Sequence, residues 1–206
     1  MAKTMIAVPC METVAAPFAQ SLATLDKEGE CYVSFLMGSL IYESRNTLCK
    51  QAITHDVDYI LWLDSDMVFD RDVLHRMLKH MEDGKEIVTG LYFRRKPPFT
   101  PVIMKEITFD EDGHGHAEGY PDYPENELFE VAACGFGCVM MKKDILLDLL
   151  LNYRTWFNPL FGAGEDIAFC VRARELGYKI WCDPTIKLGH YGPQVFDEAI
   201  FKANKQ

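Results

Sequence analysis

The chain has no excess of positive charge. It carries 21 Lys and Arg against 31 Asp and Glu, a formal net charge of −10 at pH 7. Nucleic-acid affinity rests on neutralising phosphates, so this balance argues against a general nucleic-acid binder and leaves only a local basic patch as a route to a polyanion. No apolar run approaches the length of a bilayer span, so no membrane-spanning helix is expected. The opening residues Met1-Ala2-Lys3-Thr4-Met5 lead straight into a strand-like run, without the apolar core of a secretory signal. There is no C-x-x-C. The seven cysteines (Cys10, Cys31, Cys49, Cys134, Cys138, Cys170 and Cys182) are scattered and odd in number, and most sit inside apolar runs. They read as reduced, buried thiols of a cytoplasmic protein, not as a disulfide framework or a zinc site. No repeat, long linker or low-complexity segment divides the chain, and 206 residues suffice for one sizeable core. A single domain over 1–206 is therefore expected.

What the chain does have is a stretch around which the rest is organised. Tyr59-Ile60-Leu61-Trp62-Leu63 runs into Asp64-Ser65-Asp66 and then Met67-Val68-Phe69. A short apolar run bounded by polar residues reads as a strand buried on both faces. Open α/β sheets place ligands at the carboxyl ends of such strands. If the extended backbone continues through the acids, side chains two apart share a face, and Asp64 and Asp66 converge. Paired carboxylates repel unless a cation lies between them, and hard oxygen donors suit Mg²⁺ or Mn²⁺. The plainer alternative is that Asp64 ends the strand and Asp66 opens a turn.

Around this stretch the pattern alternates. Met5–Pro9 reads as a buried strand, Pro17 to about Lys27 as a helix, Cys31–Leu36 as a strand and Ile41–Thr54 as a helix with Leu48, Cys49, Ala52 and Ile53 buried. Arg45 and Asn46 lie off that buried stripe, either as solvated surface residues or as an anion-binding pair near a helix start. After the central strand, Asp70 is a candidate N-cap for a helix over Arg71–Met81, and Glu86–Gly90 is a further strand. Strand–helix alternation of this kind argues for a parallel sheet with crossover helices. Arg94-Arg95-Lys96-Pro97-Pro98 follows, read equally as a contact for a diphosphate or an acidic acceptor or as a solvated turn. Pro101–Met104 is a candidate edge strand. Asp110–Glu127, with Asp112-Gly113 and the pair His114 and His116, reads as a polar surface loop; if functional, it suits a lid or acceptor flap. Phe129–Ala133 resumes the apolar pattern, Cys134–Cys138 is a glycine-punctuated bend, and Val139–Met141 a strand. Lys143–Leu150 and Glu165–Leu176 read as helices, with capping a sufficient reason for both acids of the second. Tyr178–Cys182 reads as the last strand, Asp183-Pro184 as its exit, and Phe196 onward as a short terminal helix.

Three features combine: the Asp-Ser-Asp strand end, a Gly164-Glu165-Asp166 helix start about a hundred residues on, and His190 about two dozen residues later. Here the sequence resembles family 2-type glycosyltransferases of the GT-A fold, from Met5 to Gly192. The likeness is strongest over Tyr59–Asp66 and over Gly164-Glu165-Asp166-Ile167-Ala168-Phe169-Cys170-Val171-Arg172-Ala173-Arg174-Glu175-Leu176-Gly177-Tyr178. The compact size looks like small phage or bacterial members. The resemblance implies a mostly parallel central sheet with helices on both faces, and an Mn²⁺- or Mg²⁺-dependent transfer of sugar from a UDP- or GDP-linked donor. It implies Asp64, Asp66 and His190 as metal ligands; Pro9, Arg45, Asn46, Asp64, Ser65 and Asp66 as the nucleotide-binding set; Asp166 as the base of an inverting reaction; and Glu165 beside it, shaping the acceptor pocket. It implies Cys134–Cys138 as the floor beneath the donor sugar. The chain after the Glu-Asp helix is shorter than usual for the family. Acceptor choice then falls to the Asp110–Glu127 segment, a partner or a homo-oligomer. Candidate acceptors are a glycan, a lipid-linked sugar, a protein side chain or a modified phage DNA base. Two other readings stay open. Asp64-Ser65-Asp66-Met67-Val68 also mimics the D-x-D-x-[TV] of haloacid-dehalogenase-type phosphohydrolases, with Asp64 as nucleophile and Asp66 as acid/base. A non-catalytic nucleotide-sugar-binding module is the third.

Overall fold

The alternating runs of the first half become strand–helix units. In the computed structural model, which describes residues 2–192 and 195–205, β1 (Lys3–Cys10) leads to α1 (Ala16–Thr24) and β2 (Glu30–Met37) to α2 (Ile41–Thr54). Next come β3 (Tyr59–Leu63), the two-residue β4 (Met67–Val68), α3 (Val73–Glu82) and β5 (Ile87–Leu91). The second half begins with β6 (Ile103–Phe109) and β7 (Gly115–Gly119), then β8 (Phe129–Val131), β9 (Ala133–Cys134) and β10 (Cys138–Lys142). The chain continues through α4 (Asp144–Tyr153), α5 (Glu165–Glu175), β11 (Ile180–Lys187), β12 (Gly189–Tyr191), β13 (Val195–Phe196) and α6 (Glu198–Asn204).

A seven-stranded sheet in the order β2-β1-β3-β10-β5-β11-β8 forms the centre. β1 pairs in parallel with β2 and β3, and β11 with β5. β10 enters antiparallel between β3 and β5, and β8 closes the edge antiparallel to β11. The sheet is thus mostly parallel, as expected. Its strands alternate side chains between two cores. Met5, Ala7, Ile60 and Trp62 pack with α2, α4 and α5 residues, whereas Ile6, Val8, Leu61 and Leu63 pack with α1 and α3. Helices therefore cover both faces, which explains why the strands read as unbroken apolar runs. Among the described residues no helix is long and apolar enough to cross a membrane.

Four local expectations are corrected. Asp110–Glu127 is not simply a loop: β6 and β7 pair as a hairpin around Asp112-Gly113, and β9 joins them in a second, three-stranded sheet. The Asp-Gly turn signal outweighed the polar composition. The last long strand does not end at Cys182 but runs through Pro184 to Lys187, with a register shift between Asp183 and Lys187. Proline is tolerated at such an irregularity because no ladder bond is required of it. Asp70 does not cap α3: the helix starts at Val73, and its N-cap residue, Asp72, makes no side-chain capping bond. Finally, β3 ends at Leu63, so Asp64–Asp66 do not continue the extended backbone.

A third small sheet positions the candidate site. β12 lies antiparallel to β4, pairing His190 with Met67, and β13 lies on its other side. The backbone N–H of Tyr191 donates to the Asp66 carbonyl at 2.8 Å. A segment far along the chain is thereby laid against the turn that follows β3.

Candidate active site

A cleft of about 400 Å³ opens at the carboxyl ends of β1, β2 and β3. Its walls include Pro9, Arg45, Asp64, Ser65, Asp66, Arg95, Glu165 and His190, with Gly38 and Ser39 from the start of α2's approach. The sequence-predicted residues from five separate regions therefore meet in one place, while Asp166, next to Glu165, is not among the walls. Asn46 does not join them. Its amide nitrogen donates to Asn158 Oδ1 at 2.7 Å, and its oxygen accepts from the Phe157 N–H at 2.9 Å. Both ends are used to hold the loop before α5.

Asp64 and Asp66 line the same cleft, but the backbone between them is not extended. The Met67 N–H donates to the Asp64 carbonyl at 3.1 Å, closing a turn over the acids. Side-chain alternation holds only in extended backbone, and the two carboxylates take different partners. Asp64 Oδ1 accepts from Arg45 Nη2 at 2.8 Å. Asp66 Oδ2 lies 2.9 Å from Arg95 Nη1 and 3.5 Å from His190 Nε2. Among the described residues, no three His, Cys, Asp or Glu side chains gather as a ready metal cluster. What is assembled is the Asp66–His190 pair.

The geometry of that pair is informative. His190 Nδ1 lies 2.9 Å from the Phe93 carbonyl oxygen. A carbonyl only accepts, so Nδ1 carries the proton. Nε2 then faces the Asp66 carboxylate at 3.5 Å, and the carboxylate there calls for positive charge between the two, a proton or a cation. An imidazole that donates its other N–H to a backbone carbonyl has the arrangement of a metal-ligating histidine.

Electrostatics separate the acids. Burial pushes the Asp64 carboxyl up; Arg45 opposes this, and nearby Asp66 adds to it. For Asp66, burial also opposes ionisation, but the His190 hydrogen bond and charge, with Arg95, hold its carboxyl below the ordinary value. Asp166 differs again. Burial and the charge of Glu165 push its carboxyl up to about 6, against the Ile167 N–H and Arg45. It is the second residue of α5, and its Oδ1 accepts from the Ile167 N–H at 2.8 Å. Glu165, the first, turns into the cleft, with Oε1 3.5 Å from Arg45 Nε.

Arg45 is not a solvated surface residue. It is 2% exposed, with its guanidinium 5.3–5.7 Å from the ring centroids of Trp62, Phe136 and Phe157. Burial would weaken its hold on the proton, but Asp64, Glu165 and Asp166 outweigh that and raise it. Of the three cations at 94–96, only Arg95 lines the cleft; its Nη1 also donates to the Tyr191 carbonyl at 2.9 Å.

Tyr92 carried no signal of its own in the sequence. Its hydroxyl accepts from the Gly137 N–H at 3.2 Å, and its ring packs edge-on to His190 with centroids 5.5 Å apart. A side chain at Gly137 would come within 2.8 Å of Tyr92 Cζ, and one at Gly135 would strike the Tyr92 hydroxyl. The glycine-punctuated bend therefore makes room for the tyrosine that backs His190.

Comparison with known proteins then places the chain among relatives. Residues 39–150, more than half of its length, match the family described as glycosyl transferase family 2. No curated protein matches the sequence. The fold is similar to the crystal structure of A197 from STIV, with a TM-score of 0.69 and 18% identity over 92% of this chain and 86% of that one. It is also similar to GalNAc-T7 solved with UDP, GalNAc and Mn²⁺, with a TM-score of 0.63 and 9% identity, covering 92% of this chain and 44% of that one. At these identities the likeness concerns the fold.

Proposed function

Because the chain belongs to glycosyl transferase family 2 and has a GT-A-like fold, we propose that it transfers a sugar from a UDP- or GDP-linked donor to an acceptor hydroxyl, with Mn²⁺ or Mg²⁺ bound at the cleft. The observation that carries this reading is the Asp66–His190 pair, with Nε2 3.5 Å from Oδ2 and Nδ1 committed to a carbonyl. One carboxylate and one oriented imidazole are chemically suited to a divalent cation that takes its remaining donors from a diphosphate and water. Asp64 is the third expected ligand, and its tie to Arg45 makes it the acid that must turn or share its oxygens. When bound, such a cation neutralises charge developing on the leaving diphosphate.

The chain's own residues supply the rest. Arg95 touches Asp66 in the cleft, and a diphosphate entering there offers the guanidinium a bidentate partner of higher charge. Pro9 and Ser65 border the same cleft and suit the nucleotide. Asp166 is cast as the general base. It takes the proton of the acceptor hydroxyl as the oxygen attacks the anomeric carbon, and the diphosphate leaves from the opposite face, which inverts that centre. A carboxyl pushed up to about 6 is a stronger proton acceptor than an ordinary one yet still ionised at neutral pH. Glu165 keeps the neighbouring charge high and is itself held by Arg45.

The haloacid-dehalogenase reading loses its support, because the family match spans the D-x-D segment itself. A non-catalytic module would share the cleft but not need Asp166. The test is a thermal-shift panel of UDP, GDP and other nucleoside diphosphates with and without Mn²⁺. Stabilisation that requires the cation and vanishes in Asp66→Ala is expected. Stabilisation indifferent to both would overturn the reading, and binding without any donor turnover would favour the module.

A further inference from the structure

The hairpin formed by β6 and β7 does not hang free. Its tip is fastened to the segment that leads into α5. The Gly115 N–H donates to the Phe161 carbonyl at 3.1 Å, and the rings of His114 and Phe161 lie 4.1 Å apart at 37°. Gly162, with φ at +77°, approaches the Gly115 backbone so closely that a side chain there would sit 3.0 Å from its nitrogen. Such a φ favours glycine, and so does the close approach. Gly115 in turn fits between two neighbours: a side chain there would lie 3.2 Å from Phe109 Cε1 and 3.3 Å from Ala163 Cβ. Asp110 sets the tip, accepting from the His114 N–H at 2.8 Å and the Asp112 N–H at 3.1 Å through Oδ1. Its Oδ2 lies 3.3 Å from both His114 Nδ1 and His116 Nε2.

This junction leaves aromatic surface in water. Phe161 is 65% exposed and Phe109 45%, with the His114 ring tilted against Phe161. Gly115 neighbours the Phe109 ring and binds the Phe161 carbonyl, so these aromatic side chains stand on one fastened junction, a preorganised surface and not a loose one. The junction leads along the chain to the cleft, since Phe161 lies four residues before Glu165, which lines it. Ala163 touches the Gly115 position, Gly164 follows it, and Asp166 Oδ1 lies 3.1 Å from where a side chain on Gly164 would begin.

We propose that Phe109, His114 and Phe161 form the acceptor platform, and that its occupant is a neutral sugar ring of a glycan. The proposal rests on the glycosyltransferase reading above. A pyranose has one face of C–H groups that packs on aromatic rings, while its hydroxyls point outward to polar groups. Charge selects against the other acceptors. Asp110, Glu111 and Asp112 crowd the tip, and Glu165 and Asp166 follow Phe161 in the chain, so a nucleic-acid backbone or an acidic glycan meets repulsion.

Saturation-transfer NMR on the full chain tests this, using cellobiose, lactose and N,N′-diacetylchitobiose as neutral probes and a hyaluronan disaccharide as the anionic one. Each is titrated with and without UDP and Mn²⁺. Saturation of sugar C–H protons is expected for at least one neutral probe, weakened about fivefold to tenfold in Phe161→Ala and in Phe109→Ala and retained in Phe161→Tyr. The anionic probe should bind more weakly than its neutral counterparts. UDP and Mn²⁺ binding should be the same in Phe161→Ala as in the parent chain, which also shows that the variant folds. Donor binding without any neutral saccharide contact, or contact indifferent to both phenylalanines, overturns the platform alone. Loss of donor binding in the parent chain overturns the glycosyltransferase reading and the platform with it.

Discussion

Arg45 joins the end of β3 to the start of α5. Its Nη2 lies 2.8 Å from Asp64 Oδ1, and its Nε lies 3.5 Å from Glu165 Oε1. One buried guanidinium thus spans the donor-side acid and the acid next to the proposed base. The aromatic walls of Trp62, Phe136 and Phe157 exclude water from it, which strengthens each ion pair and makes their loss costly.

Arg45→Met should destabilise the chain by about 3–5 kcal/mol, because it leaves two partly buried carboxylates unpaired and close together. Arg45→Lys should not restore the loss, since a compact ammonium cannot reach both acids and stack against the rings. Urea unfolding midpoints of the two variants check this. Near-parental stability in Arg45→Lys would show that charge alone suffices.

Asp166→Asn should lower kcat by about 10²–10⁴-fold while donor binding is retained. In the parent chain the rate should fall with acidification. The base acts only when ionised, and its carboxyl is pushed up to about 6, so the rate levels off above that pH and drops about tenfold per unit well below it. A pH–rate profile under single-turnover conditions reads this limb directly.

Gly137→Ala should cost about 1–3 kcal/mol, because the added methyl meets the Tyr92 ring and something must move. Since Tyr92 backs His190, the same variant should weaken Mn²⁺ binding, measured by electron paramagnetic resonance of free Mn²⁺. Unfolding without any change in metal affinity would separate Tyr92 from the site.

Asp183 offers a stability test away from the cleft. Burial opposes its ionisation, but hydrogen bonds from His80 Nε2 at 2.8 Å and from Thr185 outweigh it and hold the carboxyl far below the usual range. A depressed carboxylate contributes stability above its unfolded value, near about 4, and loses it as pH falls through the folded value. Asp183→Asn should therefore cost about 2 kcal/mol at pH 7 and progressively less below pH of about 4. Thermal midpoints across that range check the convergence.

Much of this was legible in the residues themselves. The bounds of α2 and the apolar run of β3 followed from periodicity, because a strand covered on both faces and a helix covered on one leave different spacing in the chain. The Asp-Ser-Asp segment pointed to a cleft because ligands gather where parallel strands end, whereas Gly-Glu-Asp was tied to that cleft by the family resemblance. The extended reading of Asp64 and Asp66 failed for a local reason: the turn closed by Met67 N–H cannot be told from a strand end by residue type alone.

The one-dimensional pattern determined the alternating architecture, the buried strands and the acids that meet at their ends, since burial and periodicity are properties of neighbours along the chain. Tertiary structure alone decided that Arg45 is a buried tie and not a surface charge, that Asn46 serves a loop, that Tyr92 fills the space two glycines leave, and that His190 is carried to Asp66 by the pairing of three-residue β12 with two-residue β4. Each of those depends on a contact between distant segments, where partner and distance set the energy and residue type sets only what is chemically allowed.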